Sequence, residues 1–298
     1  MIVNYPRMRR HRAAWPSDLD TALEFTSTEV FSISAPKNWD GEIEYTNGSG
    51  WQAWDGSEIT SGKNGSDHCI YLRGIGNSKI TGVDSSGAKW NIIGTNIACN
   101  GDIDLLLDYS TVKGGNRPSM ARYCYSYMFY GCTSLTAAPS LPATTLTGNC
   151  YSSMFRGCTS LTATPSLPAT TLTYHCYSYM FYGCTSLTAT PSLPATTLTN
   201  YCYYSMFYGC TSLTAAPSLP ATTLTGNCYN SMFRGCTKIK LSTTASGTYT
   251  KAYRIPKNGT GTTASNALNS MFDNTGGTFK GTPEINTTYY LDESNTIV

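Results

Sequence analysis

The chain has 298 residues, only 13% of them charged, with 22 tyrosines, 12 cysteines and a formal net charge of +2. That length admits two domains, and so small a charge excludes a surface built for the phosphate backbone of nucleic acid. No stretch reaches the roughly 18 to 20 consecutive apolar residues that a membrane-crossing helix needs, so no membrane insertion is expected.

In chain order, residues 1–20 form a basic arm with Pro6 and with Arg7, Arg9, Arg10 and Arg12. It reads as a docking tail that orders on assembly, in preference to a nucleic-acid contact, and as neither a signal peptide nor an anchor. Export by a Sec signal is therefore not expected. Residues 21–99 hold short runs (LEFT, VFSIS, EIEYT, WQAW, CIYLRG, KWNIIG) separated by Asn, Gly, Asp and Ser turns. These predict a small antiparallel all-β domain of sandwich type. Its tryptophans, Trp39, Trp51, Trp54 and Trp90, could line a glycan site, with Asp40 and Asp55 in two Trp-Asp-Gly turns. A half-buried core is the commoner use of such residues. Residues 100–298 read as a repeat array with terminal caps, the first of them around Leu105, Leu106 and Leu107.

The array repeats one phrase five times. Cys124, Cys150, Cys176, Cys202 and Cys228 step by 26 residues, opening copies of the form CYSYMFYGCTSLTAAPSLPATTLTGN. A period of that size indicates stacked units that share a core. The frame returns at Asn266-Ala-Leu-Asn-Ser-Met-Phe272, 39 residues after Asn227, which implies an insertion of 13 residues near 248–263. Placed on a helix at about 100° per residue, Cys124, Met128, Phe129 and Cys132 share one face, with Tyr125 among them. Tyr125, Met128 and Phe129 never change across the copies, whereas Ser126, Tyr127 and Tyr130 fall on the opposite arc and do. The residues from Ser134 to Ala137 then predict one short strand per copy with Leu135 inward, limited by Pro139 and Pro142. Strands from successive copies would form a parallel sheet. The fold class expected is an α/β leucine-rich-repeat solenoid preceded by the small sandwich-like domain.

The motif MFxGCTSLTxxPxLPATTL, with a Cys-Tyr pair opening the next turn, resembles the BspA-like (treponemal-type) leucine-rich repeats of bacterial surface proteins and their phage-encoded relatives. The resemblance covers about residues 101–272, and the stretch IYLRGIGN resembles the segment that commonly precedes such arrays. It implies a solenoid used for adhesion and recognition.

Chemistry-bearing residues are few. The ten repeat cysteines form two columns of five, and a spacing of eight within a copy is too long for an internal disulfide. Thiols packed as small hydrophobes are favoured over disulfides between neighbouring copies, and metal is least expected because no Cys-x-x-Cys or histidine partner accompanies them. His11, His68 and His175 belong to no nucleophile or metal motif, and carboxylates are absent between residues 123 and 237, where Arg156 and Arg234 are the only charged side chains. No catalytic residue, metal or cofactor is expected, and the chain is read as a non-enzyme.

The variable outer positions carry the stronger signal. Tyr127, Tyr130, Arg156, Tyr179, Tyr182, Tyr204, Tyr208 and Arg234 are of the types that binding surfaces favour, and Tyr174-His175 and Asn200-Tyr201 vary just upstream. Neutral drift at exposed positions of duplicated units explains the same variation. The expected function is non-enzymatic recognition, as a tail- or fibre-type receptor-binding subunit of a phage or prophage particle. Its partners would be a host surface protein or glycan and, through the arm and β-domain, other particle subunits. The alternatives are a bacterial cell-surface adhesin and a decoration protein of the virion.

Overall fold

The computed structural model describes residues 15–83 and 85–298. The four arm arginines lie outside the described residues.

Residues 23–100 supply nine strands: β1 (Leu23–Ser27), β2 (Ser32–Ser34), β3 (Glu42–Thr46), β4 (Gln52–Ala53), β5 (Ile59–Thr60), β6 (Gly62–Asn64), β7 (Asp67–Ile75), β8 (Asn91–Ile93) and β9 (Ile97–Asn100). They are followed by the helix α1 (Leu105–Lys113) and by β10 (Leu135–Ala137) in the first copy. One sheet runs in the order β10-β9-β1-β7-β3-β4, with β6 also on β7, and a second runs β5-β2-β8. In β1 the alternating residues Leu23 and Phe25 are fully buried, and they sit opposite Leu72 and Ile70 of β7. This is the two-residue period of a strand with one face on a core. Trp39, Trp54 and Trp90 fill that core. Trp39 stacks on Trp54 with centroids 5.2 Å apart, and Trp54 meets Trp90 edge-on at 5.2 Å. These rings are therefore not a glycan platform.

The core continues without a break into the repeats, because the Trp90 ring packs on Phe129 at 6.4 Å and the Trp90 backbone N–H donates to the Met128 carbonyl. From there the copies lie on one another in register. Tyr125, Tyr151, Tyr177, Tyr203 and Tyr229 form one column of parallel rings at 5.6 to 5.9 Å. A second column runs Phe129, Phe155, Phe181, Phe207, Phe233 and on to Phe272, at 5.5 to 5.7 Å. Phe272 belongs to the displaced sixth copy, which stacks despite its insertion.

The α/β leucine-rich-repeat solenoid expected from the sequence is not the fold adopted. Strands gathered in several small sheets dominate, α1 is the one α-helix among the described residues, and the segment predicted to be helical in each copy is a succession of turns. Backbone at Tyr123, Tyr127 and Gly131 is left-handed, with φ of 61°, 61° and 70°, and the same holds at each equivalent position. A left-handed residue every fourth position breaks an α-helix. The third of these positions is glycine in all five copies, which suits a φ of 76° at Gly157, although a Cβ there would meet the Cα of Gly131 only at an ordinary 3.6 Å; the sixth copy places Asn274 there at 56°.

Backbone hydrogen bonds divide accordingly. Ser126, Met128, Tyr130 and Cys132 donate three residues back within their own copy, while Tyr125, Tyr127, Phe129 and Gly131 donate to the carbonyls of Cys150, Ser152, Met154 and Arg156 in the next. A helix would keep every donor inside the segment. The strand expected after each turn segment is also corrected. It forms in the first copy as β10, paired in parallel with β9, and shortens in the fourth to β11 (Ala215–Ala216), which pairs with the C-terminal strand; copies two and three carry none. No continuous sheet runs through the copies; neighbours pair in parallel only locally, Thr171 with Thr197, Thr223–Leu224 with Thr262–Thr263, and Lys240 and Leu241 with Gly276–Gly277.

The remaining strands are β12 (Thr223–Leu224), β13 (Lys240–Ser242), β14 (Tyr249–Arg254), β15 (Thr262–Thr263), β16 (Gly276–Gly277), β17 (Thr288–Asp292) and β18 (Thr296–Ile297). The order β14-β17-β13-β16 makes a four-stranded sheet over the last copies, and β18 is the partner of β11.

Candidate recognition surface

The turn geometry places the variable residues differently from a helix. Ser126, Ser152, Ser178 and Asn230, expected on the outer arc, are buried between layers, and so are Ser153, Ser205 and Ser231. Ser126 Oγ donates to the Ser152 carbonyl of the next copy at 3.3 Å. These serines fill narrow spaces and offer nothing to a ligand.

The eight large side chains singled out from the sequence come together. All are half-buried, and they touch one another across the layers. One column runs Tyr130, Arg156, Tyr182, Tyr208, Arg234, one member per copy. The Arg156 guanidinium carbon lies 5.6 Å from the Tyr130 centroid and 4.5 Å from that of Tyr182. Tyr182 and Tyr208 stack at 4.5 Å and 10°, and Arg234 closes the column 5.7 Å over Tyr208. Beside it, Tyr127 meets Tyr130 at 5.5 Å, Tyr179 meets Tyr182 at 6.1 Å and Arg156 at 5.3 Å, and Tyr204 meets Tyr179 edge-on at 5.1 Å. Burial, with the neighbouring Tyr204 hydroxyl adding to it, pushes the Tyr179 hydroxyl up to about 12, so it remains a hydrogen-bond donor at neutral pH.

Three further residues join this strip that the arc of the predicted helix left out. His175 stacks on Tyr201 at 4.6 Å and 7°, Tyr174 packs edge-on against His175 at 4.3 Å, and Tyr201 reaches Tyr204 at 5.6 Å. Their signal was present in the sequence as variation just before each opening cysteine. On the other side of the copies, Thr190 and Ala216 are buried, while Thr162 and Thr188 are exposed.

All 12 cysteines are buried and unbridged, and burial pushes the thiols of Cys176 and Cys184 up to about 12. Cys158, Cys184 and Cys210 each donate Sγ–H to the carbonyl of the phenylalanine one copy back, at 3.1 Å. Among the described residues no group of three or more His, Cys, Asp and Glu side chains is arranged to hold a metal, and no helix is long and apolar enough to cross a membrane. The tryptophan and aspartate pairs of the Trp-Asp-Gly turns are spent internally: Asp40 accepts from Ser78 Oγ at 2.6 Å, and Asp55 accepts from the Ser57 N–H at 2.9 Å.

Comparison with protein-family models, with curated proteins and with solved structures finds no match to this chain.

Proposed function

We propose that this chain is a non-enzymatic recognition protein whose ligand-contacting surface is the tyrosine and arginine strip, carried as a tail- or fibre-type subunit of a phage or prophage particle and directed at a host surface. The observation that carries the recognition reading is the continuous contact of Tyr130, Arg156, Tyr182, Tyr208 and Arg234 across five layers, with a second row of tyrosines alongside. Neutral drift on an exposed face gives scattered polar residues. Here the variable positions that are large touch one another, and those that are small lie buried beneath them. Tyrosine in such an arrangement supplies broad amphipathic contact at low entropy cost, since neighbours already hold each ring. The assignment to a particle is supported by the resemblance of the repeat motif to phage-encoded relatives, and a bacterial cell surface is the other carrier.

The test is binding of the purified chain to intact bacterial cells and to arrayed surface glycans. A Tyr182→Ser, Tyr208→Ser variant is expected to lose at least tenfold in affinity while staying folded. A Thr162→Lys, Thr188→Lys variant, altered on the exposed threonine face, is expected to bind as the parent does. Loss confined to the threonine variant would move the working surface to that face. Antibody labelling of induced particles, against labelling of intact cells, decides the carrier.

A further inference from the structure

Of the six arginines among the described residues, three are neutralised or bonded by the protein itself, and the exposed Arg122 lies 4.7 Å over the Tyr123 ring. Arg73 pairs with Asp18 and Glu44, Arg117 with Asp102 and Asp104, and Arg254 donates to the carbonyls of Pro256 and Asn286. Arg156 and Arg234 differ. Neither has a carboxylate within ion-pair distance among the described residues, and Arg234 Nε is buried with no acceptor. Their guanidinium groups instead lie over tyrosine rings, three rings around Arg156 and one against Arg234.

A guanidinium held against aromatic faces is fixed in orientation, partly stripped of water and still fully charged. What it retains for a partner is its planar N–H fork, which fits an oxyanion with two parallel hydrogen bonds. The segment from residue 123 to 237 has no carboxylate of its own, and Asp273, which takes the column's place in the sixth copy, forms no ion pair with Arg234 among the described residues. The strip is thus complementary to negative charge. Deepening the recognition proposed above, on which it rests, we infer that the column binds a carboxylated polysaccharide, with Arg156 and Arg234 each holding a sugar carboxylate and the tyrosines between them packing on the intervening sugars.

Three features select this occupant. The two forks are three layers apart, about 14 Å at the spacing of hydrogen-bonded chains, so one small anion cannot engage both and a polymer with spaced charges can. Single-stranded nucleic acid carries a phosphate at every nucleotide and is held by denser positive grooves than two arginines supply. An acidic peptide in extended form binds by adding to an unpaired backbone edge, and here the backbone N–H groups beside the strip, those of Tyr127, Phe129 and Gly131 and their equivalents, are already donated to the next copy. Hydroxyl-rich ligands suit the remaining surface, which is tyrosine hydroxyls and ring edges.

The test uses the full chain and immobilised polygalacturonate, alginate and hyaluronate, with fully methyl-esterified polygalacturonate as the uncharged control and poly-L-glutamate and oligo(dT) as competing anions. Retention on at least one acidic polysaccharide is expected. Affinity should fall at least tenfold on the esterified polymer and at least tenfold for an Arg156→Gln, Arg234→Gln variant whose melting curve matches the parent. An Arg156→Lys, Arg234→Lys variant should recover only part, because an ammonium lacks the fork. Retention on none of the three acidic polysaccharides, unchanged binding by the glutamine variant, or equal retention on poly-L-glutamate or oligo(dT) would each overturn the inference. Binding to the esterified polymer that is lost in Tyr182→Ser, Tyr208→Ser would leave the recognition reading standing and remove only the carboxylate.

Discussion

The N-terminal sheets and the repeat stack reach burial by opposite means. Around β1, β7 and α1 no two contacts are alike: Arg73 lies 3.9 Å over Trp51 and pairs with Asp18 and Glu44, and Trp39, Trp54 and Trp90 interlock at different angles. In the stack every contact is copied, with the same tyrosine, methionine, phenylalanine and cysteine under each other in successive layers. Every ion pair found among the described residues lies outside residues 123–237. The difference teaches that the N-terminal region is specified residue by residue, whereas the stack is specified by one interface used repeatedly. Its tyrosine, methionine, phenylalanine and cysteine columns are fixed by that interface, and the large variable side chains lie on the surface, with small ones such as Ser126, Ser178 and Asn230 buried between layers.

A charge placed in the shared interface breaks the comparison most severely. Met180 is fully buried in the middle copy, so Met180→Asp strands an unpaired carboxylate between layers at a cost of about 5 kcal/mol or more, and both neighbours lose their packing with it. Loss of the cooperative melting transition is expected; a curve like the parent's would show that the copies do not share a core.

The junction of the two regions gives the next effect. Asp104, beside α1, is fully buried, 3.4 Å from Arg117 and 3.2 Å from the hydroxyl of Tyr125, the first tyrosine of the stack. Burial, with Asp102 nearby, pushes its carboxyl up to about 6, against the opposing pull of Tyr125 and Arg117. The folded chain therefore holds a proton that the unfolded chain has released between about pH 4 and 6. Stability should rise as pH falls from 7 toward 4, by on the order of 2 to 3 kcal/mol at most with about half of it reached by pH 5, and Asp104→Asn should flatten that slope. Below that window the trend reverses. Asp108 is held down to about 2, because hydrogen bonds from Ser110, Thr111 and Gly76 outweigh its burial, and its contribution is lost as pH falls from about 4 toward 2. Melting temperature against pH, for parent and variant, checks both limbs.

The smallest effect sharpens the contrast between interior and surface. Tyr182→Ser removes a half-buried ring stacked between Arg156 and Tyr208, and should cost about 1 kcal/mol, against about 4 kcal/mol for Phe181→Ala one residue away in the buried column. Chemical denaturation midpoints separate the two.

Much of this was legible in the sequence, but unequally. Alternation exposed the strands around Leu23, Ile43 and Leu72, and the columns at Tyr125, Met128 and Phe129 declared themselves by not changing between copies. The backbone of the repeats was not legible from a helical wheel, because half its hydrogen bonds go to residues 25 positions away and long-range pairing overrode local periodicity. Asparagine, glycine, serine and tyrosine at the left-handed positions, with few strong helix formers nearby, were the available warning. The same error put Ser126 and Ser178 outside and left Tyr174, His175 and Tyr201 out of the surface strip. The eight strip residues themselves were found by variation, a property of the surface that needs no knowledge of the backbone.

The claim that the copies are interchangeable layers is tested most directly by removing one of them, residues 176–201. Copy two would then meet copy four, with Tyr151 under Tyr203, Phe155 under Phe207 and Gly157 under Gly209, the identities found at every existing interface. The account predicts a folded chain that melts in one cooperative transition within a few degrees of the parent, its thiols unreactive until unfolded, while the Tyr182 and Tyr208 pair on the surface is gone. An aggregated or unfolded product would show instead that each copy is specified by its own place in the chain.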